Sequence, residues 1–460
     1  MASSDWLEKG ISHFQSEDFK DAIECYDKAL ELDPKSSEAW YNKGLALNDL
    51  GKFEEAIKCY DRAIEIDPFR AEYRTIRGVT IGKLGKMEEE ITSYDMAITI
   101  DPTYALAWYN KGVALEKQAN YEEAIVCYDK AIERDPYSGA QVNKGVCLHR
   151  LGNYDEAIKC YDKAIEIDPA AGLPWLNKGS ALYMLNEYEK AIDCCDKVLA
   201  FNPNDVGALY YKANAFYNLS KYNEAIECYD KALAIDPDNI DFKNSKLRAL
   251  VESEQYIEAI EYIDKALAID PGNTESLNNK GEILRRLADY KQAIECFDKA
   301  LAIDPNYRDA LHNKGLALSN IEQYSEAIEY FDKALAIDPR DMKILDNKGV
   351  LLYKLSKYHE AIEMYDMALA IDPNNVHTLN DRGAALAKLL EYDEAIGCYD
   401  KALAIDPNNV DAYYNKANAL YHLSKYHEAI ECYDKALATD PNHTSAMNNR
   451  TIACDKLKEI

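Results

Sequence analysis

SEAWYNKGLALNDLGKFEEAIKCYDRAIEIDPFR, residues 37–70, is one copy of a unit that recurs along the whole chain. Its closing proline, Pro68, has counterparts from Pro34 through Pro102, Pro136 and Pro169 to Pro441, thirteen in all, which leaves one of the 14 prolines unassigned. A spacing of about 34 residues marks a repeat architecture, in which each unit buries its apolar face against its neighbours. With Pro placed at position 32, the first half of the quoted unit carries Trp40, Gly44 and Leu47 at positions 4, 8 and 11. That spacing is one face of a helix. The second half carries Phe53, Ala56, Ile57, Tyr60, Ala63 and Ile64 at positions 17, 20, 21, 24, 27 and 28, again a helical face. Asp67-Pro68 ends it, because the residue before proline is pushed out of the α region. Each unit therefore reads as an antiparallel helical hairpin.

Small residues recur where two helices must approach closely. Position 8 is Gly in ten units, from Gly10 and Gly44 to Gly383, and position 20 is Ala in all but the third unit, which has Glu90. Glycine inside a helix costs roughly 1 kcal/mol relative to Ala, so its recurrence implies that a neighbouring side chain fills the space. Nine of the 12 cysteines share position 23, where other units have Tyr262, Tyr330 and Met364. That position wants a mid-sized apolar group, which free Cys supplies. With no CxxC pair, neither zinc nor disulfide chemistry is expected.

The pattern Trp40, Gly44, Leu47, Ala56, Tyr60, Ala63, Pro68 resembles the tetratricopeptide repeat (TPR) family. The resemblance covers thirteen units over residues 3–443 and a final first-type helix over 444–460. The fold it implies is all-α: an α-α superhelix, or TPR solenoid, of 13 helical hairpins plus a C-terminal capping helix. The Lys-Gly and Cys-Tyr-Asp-Lys style also resembles TPR-only proteins of methanogenic archaea. One departure from the family is systematic. Position 7, where the family has Leu, is Lys or Arg in every first helix, and position 25 is Asp in every second helix. A Lys-Asp ladder between helices is the expectation. Three places break the rhythm: the junction from Asp135-Pro136 to Gly145 is one residue short, Glu90 replaces Ala, and Leu247 replaces Gly in the divergent eighth unit. The candidate break in the array lies at 206–273.

The formal net charge of -28 argues against nucleic-acid binding, which depends on Lys and Arg neutralising phosphates. It disfavours anionic membrane surfaces as well. MASSDWLEKG has no basic or apolar leader region, and no apolar run reaches the roughly 20 residues of a membrane span. The expectation is a cytoplasmic chain without cofactor or metal.

In TPR proteins the first helices line the concave surface. Positions 2, 6, 9 and 13 share one stripe of that helix. Position 6 is Asn in nine units: Asn42, Asn110, Asn143, Asn177, Asn279, Asn313, Asn347, Asn415 and Asn449. An amide offers donor and acceptor together, so it can pair with a peptide unit of any sequence. Packed helices lie roughly 8–10 Å apart and an extended peptide advances about 3.3 Å per residue, so one Asn per repeat holds about every third residue. The row is similar to the asparagine ladder in the TPR arm of O-GlcNAc transferases. It lapses at Tyr211 and Ser245 and is interrupted again by Asp381. Beside it, Tyr41, Tyr109, Tyr210 and Tyr414 occupy position 5, where chaperone-adaptor TPR domains place a Lys to grip an acidic tail. That clamp is not expected here, although Asn214 and Asn418 stand at position 9. The reading is a non-catalytic scaffold that binds an extended peptide or partner protein in its groove. Self-assembly, or service as the targeting arm of an enzyme complex, is the alternative. No phosphate loop or nucleophile elbow is present, and the eight His are scattered.

Overall fold

The computed structural model describes residues 2–136 and 138–459, which form 27 helices and no strand. First helices of 13 residues, such as Ser37–Asp49, alternate with second helices of 14, such as Phe53–Ile66. They alternate through thirteen repeats, and Thr444–Lys458 follows as a further first-type helix. The proline outside the periodic set, Pro174, sits in the first turn of Gly172–Met184, where its missing N–H is tolerated. At the short junction, Tyr121–Arg134 and Ser138–Arg150 stand one residue closer than usual, and Tyr137 lies outside the described residues.

Each second helix ends by two devices. Asp67 has φ -126 and ψ 89, as a residue before proline must, and its N–H still donates to Ala63. Its carboxylate then accepts the Phe69 N–H at 3.3 Å, an Asx turn that explains why Asp precedes the proline. Within each hairpin the turn demands a left-handed residue at position 15. Only three repeats place glycine there, Gly51, Gly85 and Gly152. The other ten use residues such as Glu17, Asn186 and Leu390, at φ 63, 61 and 66. The hairpin geometry overrides a backbone preference that costs roughly 1–2 kcal/mol for an L-residue.

The recurrent glycine is explained by what faces it. A Cβ on Gly44 would fall 2.5 Å from the Tyr60 ring, and one on Gly10 equally close to Tyr26. Repeat six has Cys195 in place of the aromatic, and there the nearest atom to a Cβ on Gly179 is 3.3 Å away. Repeats seven and thirteen carry Ala213 and Ala417 instead of Gly. In both, the facing ring is held by the next residue along: Tyr229 donates to Asn214 Oδ1 at 2.5 Å and Tyr433 to Asn418 Oδ1 at 2.6 Å. In the third repeat Glu90 does enter the tight crossing, and Gly82 makes room for it, since a Cβ there would lie 2.5 Å from the carboxyl. Tyr94 donates to that carboxylate at 3.1 Å.

Eleven cysteines are buried and Cys454 is partly so, all unpaired. Burial pushes the Cys59 and Cys194 thiols up to about 11 and Cys195 to about 12, so they serve as packing groups and not nucleophiles. Packing divides the chain into two compact units, Met1–Ser253 and Glu254–Ile460, with the division inside repeat eight. The first unit holds seven hairpins and the first helix Ile240–Glu252. The second holds the second helix Tyr256–Ile269, five hairpins and Thr444–Lys458.

Candidate functional site

The Lys-Asp ladder forms at every step. From the second repeat on, each position-7 cation reaches the position-25 Asp of the preceding repeat, from Lys43–Asp27 (2.5 Å) and Arg77–Asp61 (2.6 Å) through Lys246–Asp230 (2.6 Å) to Lys416–Asp400 (2.5 Å) and Arg450–Asp434. The cation is mostly covered while the carboxylate is about half exposed, so each pair contributes only ~0–1 kcal/mol. Burial alone would lower the Lys314 pKa, but Asp298 and Tyr330 outweigh it and raise the ammonium. Tryptophan adds a second lock between repeats: Trp40, Trp108 and Trp175 donate Nε1–H to the carbonyls of Pro34, Pro102 and Pro169.

These links fix how first helices present their outer stripe. Within each unit, first helices of successive repeats touch one another directly, whereas second helices do not approach to the same extent. The first helices therefore lie on the inside of the local curve. All nine position-6 asparagines are half-buried on this face, as are Tyr41, Tyr109, Tyr210 and Tyr414.

The asparagines fall into two groups. In four of them the amide donates back to the preceding repeat: Asn143 to Tyr109 (3.2 Å), Asn313 to Asn278 (3.0 Å), Asn347 to His312 (3.1 Å), and Asn449 to both Tyr414 (3.3 Å) and Asn418 (3.0 Å). Burial lowers the His312 pKa, which keeps the ring neutral and its Nε2 able to accept. Asn42, Asn110, Asn177, Asn279 and Asn415 make no such bond among the described residues. The position-5 tyrosines also bridge repeats. Tyr41 packs 4.8 Å from Tyr73 and donates to Glu72 at 2.9 Å, Tyr210 packs 5.4 Å from Phe242, and Tyr414 lies 4.8 Å from His443. This cross-repeat wiring was not legible in the sequence, since it depends on which position of one helix meets which position of the next.

Both interruptions of the Asn row bring charge to the inner face. In the second unit, burial raises the Asp381 pKa; His377 lowers it, and Asp346 and Asp411 raise it further. Asp346 is raised by burial as well, against a 2.9 Å bond from Thr378. In the first unit the interruption holds a cavity of about 110 Å³ lined by Tyr183, Asn214, Tyr217, Asn218, Tyr229, Ser245 and Arg248. The equivalent positions of repeat thirteen and the last helix form a cavity of about 180 Å³ lined by Asn418, Tyr421, His422, Tyr433, Asn449 and Ile452. Arg248 was missed in the sequence reading. The available signal was that it is the only Lys or Arg at positions 5, 6 or 9 of any first helix.

Among the described residues no group of three or more His, Cys, Asp or Glu is arranged to hold a metal ion, and no helix is long and apolar enough to cross a membrane.

Tetratricopeptide-repeat family models match residues 7–71, 82–119, 105–138, 140–170, 173–205, 206–239, 240–273, 273–340, 347–375, 391–424 and 410–443. The chain belongs to the tetratricopeptide-repeat family, and these matches carry no particular lineage. No curated protein sequence matches it. Among solved structures it is similar to the TPR protein YrrB, described as having an unusual peptide-binding site, at 25% identity and TM-score 0.38 over 42% of this chain and 99% of that one. It is also similar to a chain of the APC/C hetero-tetramer Cut9-Hcn1, at 15% identity and TM-score 0.42 over 96% and 95% of the two chains. The MamA protein is similar at 27% identity and TM-score 0.33 over 36% of this chain and 90% of that one.

Proposed function

We propose that the chain is a non-catalytic scaffold that holds an extended peptide, or an extended segment of a partner protein, along the inner face of its first helices. The observation that carries this reading is the half-buried row of amides on that face. Some are pinned by a neighbouring repeat and keep Oδ1 for a peptide N–H, while others keep both donor and acceptor. Amides held in place bind with less loss of side-chain freedom than mobile ones. The charge of -28 supports a protein partner over a nucleic acid.

The test uses the immobilised full chain and a degenerate heptapeptide pool, with retained peptide read by mass spectrometry. Asn110, Asn177, Asn279 and Asn415 changed together to Ala leave the cross-repeat bonds described above in place, so the variant should keep its helical melt. Retention is expected to fall at least about ten-fold, a scale reached by losing a few net hydrogen bonds. Undiminished retention removes the groove reading.

Self-assembly keeps one supporting observation. Position 30 repeats an exposed apolar side chain, including Leu32, Phe201, Ile269 and Ile303 at 58%, 56%, 87% and 51% exposure. Light scattering that shows a monomer at all concentrations would end that reading.

A further inference from the structure

Most seams between repeats are closed by two small residues. Ala at position 27 of a second helix packs against position 3 of the next first helix. Ala29 with Ala39, Ala97 with Ala107, Ala300 with Ala310 and Ala402 with Ala412 are all fully buried. The seam between Tyr256–Ile269 and Thr274–Arg286, both in the second unit, is different. Ala266 is exposed, and Ser276, at position 3 of the next helix, is only half-buried. Ile269 is 87% exposed, against at most 58% for an aliphatic or aromatic side chain at position 30 elsewhere. The last turns of Tyr256–Ile269 therefore stand away from the helix that should cover them.

The chemistry of Ser276 accounts for the gap. A hydroxyl pressed between two helices without a partner costs free energy. Thr378 holds the same position in repeat twelve and is fully buried, with its hydroxyl donating to Asp346 at 2.9 Å. The Ser276 N–H donates to Asn273 Oδ1 at 2.8 Å, but its hydroxyl makes no hydrogen bond among the described residues. The turn adds freedom of its own. Gly272 is the only glycine that follows a repeat proline. Its φ is not positive, so the turn does not require glycine, and the missing side chain leaves the backbone looser. Beyond the turn the structure is firm: Leu277 and Leu284 are buried against Phe297 and Ala300. Tyr256–Ile269 is held to that core along one edge, by Ile260 and Leu267, and by the Lys280–Asp264 pair at 2.5 Å.

We propose that Tyr256–Ile269 is a reversible flap on the second unit. It swings about Asp270-Pro271-Gly272 and opens the seam while the hairpins from Thr274 onward stay folded. Opening uncovers Leu277 and Leu284, so the flap is a conformational switch that gates an apolar face inside the array. Elements with few buried apolar contacts are the ones that open at low free energy.

Hydrogen exchange of the full chain, read by mass spectrometry under conditions where neither unit melts, tests the flap. Amides along the whole of Tyr256–Ile269 should exchange at least about ten-fold faster than those of Tyr290–Ile303, the equivalent helix one repeat on. Two changes repair the seam. Ser276→Ala restores the residue that stands at Ala310, and Gly272→Asn restores the one that follows Pro305, where a Cβ meets only Asp270 Oδ1 at 3.5 Å. Together they should remove most of the difference. Equal protection of the two helices in the unaltered chain overturns the flap. Fast exchange confined to the last turn overturns it as well, since that is fraying of a helix end. A difference that survives both repairs also overturns it.

Discussion

The pocket closed by Arg248 and the pocket closed by Ile452 stand on one frame. Each has Ala at position 8, Asn at position 9, Tyr at position 12 and a buried Tyr at position 24 whose hydroxyl the Asn accepts. They differ at two residues of the following helix, Ser245 and Arg248 in the first unit against Asn449 and Ile452 in the second, and at Asn218, which His422 replaces; Tyr183 lines the first pocket alone. In the second, Asn449 donates to Asn418 and the frame is closed on itself. In the first, that donor is missing and a cation is added. The repeat thus fixes where side chains meet, while the residue brought by the next helix decides what the meeting place attracts.

The comparison breaks most severely if positions 8 and 9 are not coupled. Gly44→Ala, in a repeat with Leu45 at position 9, drives a Cβ to 2.5 Å from the Tyr60 ring and should destabilise by about 1–3 kcal/mol in urea unfolding. Gly179→Ala meets Cys194, Ala191 and Cys195 at 3.3–3.4 Å, where a shift of a few tenths of an ångström offsets the gain in helix propensity, and should change stability by less than about 1 kcal/mol. Equal midpoint shifts would show that the aromatic is not what reserves the glycine.

Next in size is the frame itself. Asn418 accepts from both Tyr433 and Asn449, so Asn418→Ala leaves a buried hydroxyl without its acceptor and the Asn449 amide with Tyr414 alone. A loss of about 2 kcal/mol is expected there, against about 1 kcal/mol for Asn214→Ala, which frees Tyr229 alone. A larger loss at Asn214 would reverse the ranking of the two frames.

The interrupted row offers a pH test. The Asp381 carboxyl has its pKa raised by burial, with Asp346 and Asp411 adding to the rise and His377 opposing it. A carboxyl with a raised folded pKa stabilises most below its unfolded pKa, and that stability is lost as pH climbs through the folded value. Asp381→Asn, which also restores the row, should therefore stabilise at pH 7 by up to about 1 kcal/mol and have no effect at pH 3. A gain that is the same at both pH values would mean the charge is not the cause.

The smallest effect is at the hairpin turn. Leu390 holds φ 66 while 70% exposed, so Leu390→Gly relieves strain without loss of packing. Thermal melting should show a gain of about 0.5–1 kcal/mol, the strain relieved less the added chain entropy of glycine. A lower melting temperature would show that this side chain contributes packing after all.

Much of this protein was legible from residue order. The period of the prolines and the two apolar spacings determined the number of hairpins and the length of their helices, because helical periodicity and the proline stop are local properties of the chain. The charged rows at positions 7 and 25 pointed to a ladder, and the ladder forms at every step. The glycine at position 8 implied a neighbour; Tyr60 and its equivalents are that neighbour. Tertiary structure alone decided three things: that Gly82 makes room for Glu90, that ten non-glycine residues accept a left-handed turn, and that the asparagine row divides into pinned and unpinned amides. Each depends on two side chains roughly one repeat or one hairpin apart meeting at an angle set by packing. Residue spacing along one helix carries no record of that angle, so Arg248 reads in the sequence as one more polar residue and in the fold as the closing wall of a pocket.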